Sequence, residues 1–193
     1  MKFFKNTKKN KGFTLVEMLV AVSIFSMAVV SLMVIIGGGI SDIEYAKTRI
    51  TASYLAQEGV EYMRNMADTY MLYTPENAGW TAFLEKISVC NSQSGGDGCY
   101  FNDSGVYNGA RMPVTQIEVS KCTLSCPELF YDESTGQYNY NISGIPTGIK
   151  RKINIEYPAN PDREIKVIST VTWTQKSGEY SISFSEELFK WIE

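Results

Sequence analysis

Lys11-Gly12-Phe13-Thr14-Leu15-Val16-Glu17, followed by the uncharged run 18–41, decides how this chain is built. From Phe13 to Ser41 there is one ionisable residue, Glu17, near the start of an otherwise apolar helix. A carboxylate at membrane depth costs about 2.5–3.5 kcal/mol on insertion scales, so it calls for a partner. Five lysines (Lys2, Lys5, Lys8, Lys9 and Lys11) precede the run, and no acidic residue does. That asymmetry predicts a cytoplasmic N-terminus and an exported remainder. The 24 residues of 18–41 exceed the roughly 20 needed to span a bilayer core. They also exceed the apolar core of a cleaved secretory signal, about 7–15 residues. On hydropathy alone the segment is a signal anchor, which leaves Gly12-Phe13 and Glu17 unexplained.

Beyond Ser41 the helical pattern continues. Residues 41–69 hold no proline and one glycine, Gly59. Ala52, Leu55, Ala56, Gly59, Met63, Met66 and Tyr70 recur at three- and four-residue intervals, giving one apolar stripe. Gln57, Glu61, Arg64 and Asp68 fall opposite, with Arg64 and Asp68 spaced for an i,i+4 pair. A helix over residues 13–69 would be about 85 Å long at 1.5 Å per residue, apolar all round in its first half and amphipathic in its second. Gly37-Gly38-Gly39 interrupts its good helix formers, either as a hinge or melted turn or as a site of close helix–helix contact.

Pro75 and the polar stretch to Trp80 end the helix. Residues 81–89 read as a short helix or an extended segment, and 91–108 as turn-rich loop. Val114, Ile117 and Val119 mark a weak strand. Ile149, Ile153, Ile155 and Tyr157 alternate with Lys150, Lys152, Asn154 and Glu156, a half-buried strand. Ile165, Val167, Val171 and Trp173 form a second strand and Tyr180, Ile182 and Phe184 a third. Residues 185–192 are expected to close as a turn of helix. Short links favour an antiparallel meander packed on the amphipathic half of the helix, an α+β fold. The organisation expected is a basic leader over 1–12, a membrane helix over 13–41, and an exported domain over 42–193 that includes the helix to about 70.

Composition narrows the chemistry. Without residues 1–12, 13 Lys+Arg face 21 Asp+Glu, a net of −8, so nucleic acid is an unlikely partner for the exported part. Lys150-Arg151-Lys152 is the single basic cluster and reads as a solvated strand end. The chain has no histidine, which removes Ser-His-Asp and Cys-His catalysis and His-ligated metals together. No phosphate-binding glycine loop is present either. An enzyme would have to rely on paired carboxylates, and no pair stands out. No cofactor is expected. Cys90, Cys99, Cys122 and Cys126 all follow the membrane segment, where an oxidising compartment favours disulfides. Three connectivities are open. The local pairs Cys90–Cys99 and Cys122–Cys126 are favoured because they staple loops with little other structure. A four-thiolate zinc site and free thiols are the alternatives. Asp97 and Asp103 fit no calcium-loop spacing and read as a polar turn.

The junction 11–17 resembles the class III leader junction of type IV prepilins and of type II secretion pseudopilins. The resemblance implies cleavage after Gly12 by a prepilin peptidase and methylation of the new N-terminus, Phe13. It makes Glu17 the fifth mature residue, a buried carboxylate that pairs with the N-terminal amine of a neighbouring subunit and sets axial register. The other partners it implies are pilin or pseudopilin subunits, an inner-membrane assembly platform with its ATPase, and membrane lipid before assembly. The location implied is first a single-pass cell-membrane protein, then an extracellular filament or pseudopilus. Residues 56–65 and 171–174 are similar to minor pilins and minor pseudopilins. Cys122–Cys126 lies far from the C-terminus, unlike the cysteine pair of classical major pilins, which favours a minor subunit. The rival reading is a cell-surface binding module on an uncleaved anchor.

Overall fold

The computed structural model describes residues 12–74, 78–91, 97–102, 116–158, 162–175 and 178–191. Helix α1 spans Leu15–Tyr73, and the chain divides into two compact units between Ala46 and Lys47. In the first unit α1 is long and apolar enough to cross a membrane, and none of its apolar side chains is buried. Gly37, Gly38 and Gly39 stay helical, and a Cβ at any of them would have no neighbour within 4 Å. The expected interruption is therefore a run of low propensity inside regular helix. Ser23 and Ser31 satisfy their hydroxyls by donating to the carbonyls of Leu19 and Met27, one turn back.

The second unit is built on the amphipathic part of α1. Its buried side is Ala52, Leu55, Ala56, Gly59, Val60, Met63, Met66, Ala67 and Met71. Tyr70 is only half-buried; its ring lies 6.4 Å from that of Phe83. Helix α2 (Gly79–Lys86) and a 3-10 turn (Ser88–Cys90) follow, with Trp80, Phe83 and Ile87 entering the core.

Seven antiparallel strands complete the unit: β1 (Cys99–Asn102), β2 (Glu118–Lys121), β3 (Glu128–Asp132), β4 (Gln137–Asn139), β5 (Ile145–Glu156), β6 (Glu164–Gln175) and β7 (Gly178–Phe189). β5 is central. One edge pairs with β6; the other pairs with β3 near its start and with β1 at Ile153. β5, β6 and β7 form the expected meander. Ile165, Val167, Ser169, Val171 and Trp173 of β6 face inward and alternate with half-exposed residues, the period-2 pattern of a sheet covered on one face.

Three expectations change. β1 forms inside the stretch 91–108 that reads as loop, and Val114 lies outside the described residues. The β3–β4 hairpin has no counterpart in the sequence reading. Its strands are short, and its turn closes through Gly136 at φ 72°. The C-terminal stretch continues as strand to Phe189 rather than turning helical, because β6 offers partners along its whole length, from Gln175↔Gly178 to Glu164↔Phe189. Glu186 then points inward to Arg64, and Leu188 enters the core.

Candidate functional site

At the N-terminal junction Gly12, Phe13 and Thr14 precede the first turn of α1, and Phe13 is 78% exposed. The Thr14 carbonyl accepts the first helical hydrogen bond, from the Met18 amide at 3.2 Å. The Thr14 hydroxyl accepts from the Glu17 amide at 3.3 Å, and a Glu17 carboxylate oxygen accepts from the Thr14 amide at 3.5 Å. This reciprocal arrangement is a capping box, with Thr14 as N-cap and Glu17 three residues on. It satisfies two amide donors that the first turn otherwise leaves open. It also places the carboxylate at the positive end of the helix dipole. In the single chain Glu17 therefore already has a local partner. The Thr-x-x-Glu spacing was visible in the sequence, and its capping geometry is what sequence reasoning missed.

The structure pairs Cys90 with Cys99 and Cys122 with Cys126, each with Cα atoms 4.7 Å apart, and all four sulfurs are buried. The first bond ties the 3-10 turn to β1. The second closes a five-residue loop after β2. The two are neighbours: Cys122 donates its amide to Gly98 at 2.9 Å. Asp97 uses a carboxylate oxygen to accept the Leu124 amide at 3.1 Å, and Asp103 lies outside the described residues.

The basic cluster separates. Lys150 and Lys152 are exposed, but Arg151 is 1% exposed, so the solvated-strand-end reading fails at its centre. Position 151 falls on the inward face with Ile149 and Ile153. The Arg151 guanidinium donates to Glu58 on α1 at 2.8 Å, reaches the Leu55 carbonyl at 3.4 Å, and lies 4.2 Å from the centre of the Phe101 ring. A buried charge is tolerated because it is paired and stacked. Arg64 does not pair with Asp68. It bonds Glu186 of β7 and Glu61 of its own helix, and the Glu186 hydrogen bond raises its pKa further. Asp68 instead accepts from the Trp191 indole at 3.0 Å. These contacts, on Glu58, Arg64 and Asp68, fasten the helix to the sheet within the second unit.

Comparison with known proteins bears on the junction. Residues 7–37 match the family model of the prokaryotic N-terminal methylation motif. The match supports a type IV pilin-like prepilin, an assignment with which the α+β architecture agrees. No curated protein and no solved structure matches the chain.

Proposed function

We propose that this chain is a non-enzymatic structural subunit of a type IV pilus or a type II secretion pseudopilus. It is made as a membrane precursor with its N-terminus in the cytoplasm. A prepilin peptidase cuts it after Gly12 and Phe13 is methylated. The platform then draws it from the bilayer to join other subunits through α1. The observation that carries this reading is the register of Gly12, Phe13 and Glu17 inside the matched segment, at the head of a helix that buries none of its apolar side chains before Lys47. Such a helix needs lipid or other helices around it. Methylation keeps the positive charge of the Phe13 amine, so the amine can pair with a neighbour's Glu17. The pair fixes register more than it adds stability, the best-attested use of buried ion pairs.

The test is the N-terminal sequence and intact mass of the protein taken from membranes of its native host. A chain that begins at methylated Phe13 is the expected result. A chain that retains residues 2–12 in cells with active prepilin peptidase makes this a signal-anchored surface module instead.

A further inference from the structure

Two Asn-x-Ser triplets follow the membrane segment, Asn102-Asp103-Ser104 and Asn141-Ile142-Ser143, neither with proline in the middle. That pattern is the acceptor signature for N-linked sugars, and it has meaning only where an exported chain shows the asparagine at its surface. The structure separates the two triplets. Asn102 is extended in β1, paired with Glu118 across the ladder, and residues 103 and 104 lie outside the described residues. Asn141, Ile142 and Ser143 are all exposed, in the turn between β4 and β5.

That turn holds the acceptor ready. The Asn141 side-chain oxygen Oδ1 accepts the Ser143 amide at 3.0 Å, and the Asn141 carbonyl accepts the Gly144 amide at 3.1 Å. The Asn141 amide donates to the Asn139 side-chain oxygen at 2.9 Å. An asparagine folded back on the amide two residues ahead makes a tight local turn, here bringing positions 141 and 143 together. Only the oxygen of the carboxamide is engaged. Among the described residues the Asn141 Nδ2 and the Ser143 hydroxyl, the two groups that the signature specifies, make no hydrogen bond. Beside them is an open hollow of about 360 Å³, walled by Tyr131, Glu133 and Ile145, within the size range of small-ligand sites. Ile142 is 82% exposed and has no packing role that an attached sugar could disturb.

We propose that Asn141 is an acceptor for N-linked glycosylation, with a polyprenyl-phosphate-linked sugar as donor and a membrane oligosaccharyltransferase as catalyst. Nδ2 attacks C1 of the sugar, and an N–C bond forms as the C1–O bond breaks. The lipid phosphate leaves with the electron pair, and the proton from Nδ2 passes to a base of the transferase. The donor is a membrane lipid, and a precursor carried by α1 is held in the same bilayer. The inference goes beyond the filament-subunit reading and needs only its exported orientation, which a signal-anchored module would share.

The test is mass spectrometry of the non-reduced tryptic peptide 122–150, from protein purified from its native host, with fragmentation that leaves sugars attached. This peptide holds both Asn141 and the Cys122–Cys126 bond, so the disulfide reports export of the same molecule. The expected result is an oxidised peptide with a sugar on Asn141, and a peptide 87–111, which holds Asn102, without one. An oxidised peptide with bare Asn141 overturns the proposal. A reduced and bare peptide overturns the exported orientation, and the proposal with it. Ser143→Ala keeps the backbone amide that Asn141 accepts and removes only the hydroxyl, so it should lose the sugar, whereas Ser143→Thr should keep it. Thermal unfolding of the Ser143→Ala chain, compared with wild type in a host without the transferase, should be unchanged, which separates loss of the acceptor from loss of the fold. A sugar that stays on Asn141 in Ser143→Ala sinks the assignment.

Discussion

Gly59→Ala sets two effects of known size against each other. Alanine favours the helix by about 0.8–1 kcal/mol over glycine, so propensity alone predicts a more stable protein. The site says otherwise. A Cβ on residue 59 would press on the Ser169 hydroxyl, lie 2.9 Å from Ile153 Cδ1 and 3.1 Å from Ser169 Cβ. Here α1 packs tightly against β5 and β6, and overpacking a tight contact costs about 1–3 kcal/mol. Packing should win, with a net loss of up to about 2 kcal/mol. At about 2–4 °C per kcal/mol for a chain of this size, the melting temperature falls by several degrees. The second arm is Ser169→Ala. Ser169 is fully buried and its hydroxyl has no hydrogen-bond partner among the described residues, so that change alone should be neutral or favourable. With the hydroxyl gone, the flexible end of Ile153 and the 3.1 Å contact with the Cβ of residue 169 remain to be relieved, and Gly59→Ala should cost much less than in the wild-type background. Thermal unfolding of the four full-length proteins in detergent, followed by circular dichroism, gives the coupling energy, expected at about 1–2 kcal/mol. The reasoning is refuted if Gly59→Ala stabilises the wild-type protein, or costs the same in both backgrounds.

Three further outcomes follow from other contacts. Glu58→Ala should cost about 2–3 kcal/mol in denaturant unfolding, below the usual 3–5 for a broken buried pair because the Glu58 side chain keeps about a third of its exposure. Arg151→Met, which removes the charge but fills the space, should stay within about 1 kcal/mol of wild type, and a loss as large as that of Glu58→Ala contradicts this account. Replacing both cysteines of each disulfide by serine should cost about 2.5 kcal/mol for Cys90–Cys99 and about 2 for Cys122–Cys126, by loop-closure entropy for separations of nine and four residues. A reversed order would mean that strain, not chain entropy, dominates. Asp132 accepts from the Ser134 hydroxyl and amide, which hold its pKa below the ordinary carboxylate value. Its contribution to the β3–β4 turn is full above that ordinary value and is lost as pH falls through the lower folded one. An NMR titration of the Ser134 amide should show that lower midpoint, and Ser134→Ala should raise it.

What the sequence made legible was whatever repeats. The three- and four-residue spacing of α1 named Ala52 through Met66 as core, and period-2 alternation located β5, β6 and β7. The same alternation already placed position 151 inward, between Ile149 and Ile153. The residue type misled, because Lys150-Arg151-Lys152 looks like a solvated charge run, and only Glu58, 93 residues away, makes burial possible. β1, β3 and β4 are three to five residues long, set among glycine, asparagine and serine, too short for a period to register. Their pairing depends on β5 and on the disulfides, which are non-local facts. At the junction, the residues of interest could be read directly, but the capping box could not be read from charge alone. The positive φ of Leu124 had no sequence signal: its loop is closed by Cys122–Cys126 and its amide is bound by Asp97, 27 residues away.

The capping box sharpens what Glu17 would do under the proposed processing. Before cleavage the Gly12–Phe13 link is a neutral amide, and the carboxylate has the Thr14 amide and the helix dipole to answer. Cleavage after Gly12 creates a cation one residue from that cap. A cap of this kind is worth about 1 kcal/mol, while an ion pair in an apolar surrounding is worth several times more per contact than in water. The exchange of Glu17 from its own Thr14 amide to a neighbour's Phe13 amine is therefore favourable only where lipid or packed helices exclude water and only after the cut. On that logic the peptidase does more than shorten the chain: it supplies the charge that makes leaving the local cap worthwhile. Thr14→Ala, which removes the hydroxyl half of the cap without touching Glu17, should then lower helix stability in the free subunit by about 0.5–2 kcal/mol and spare assembly. Glu17→Ala should abolish assembly. If Thr14→Ala blocks assembly as completely as Glu17→Ala, the cap itself is the functional element and the exchange is not.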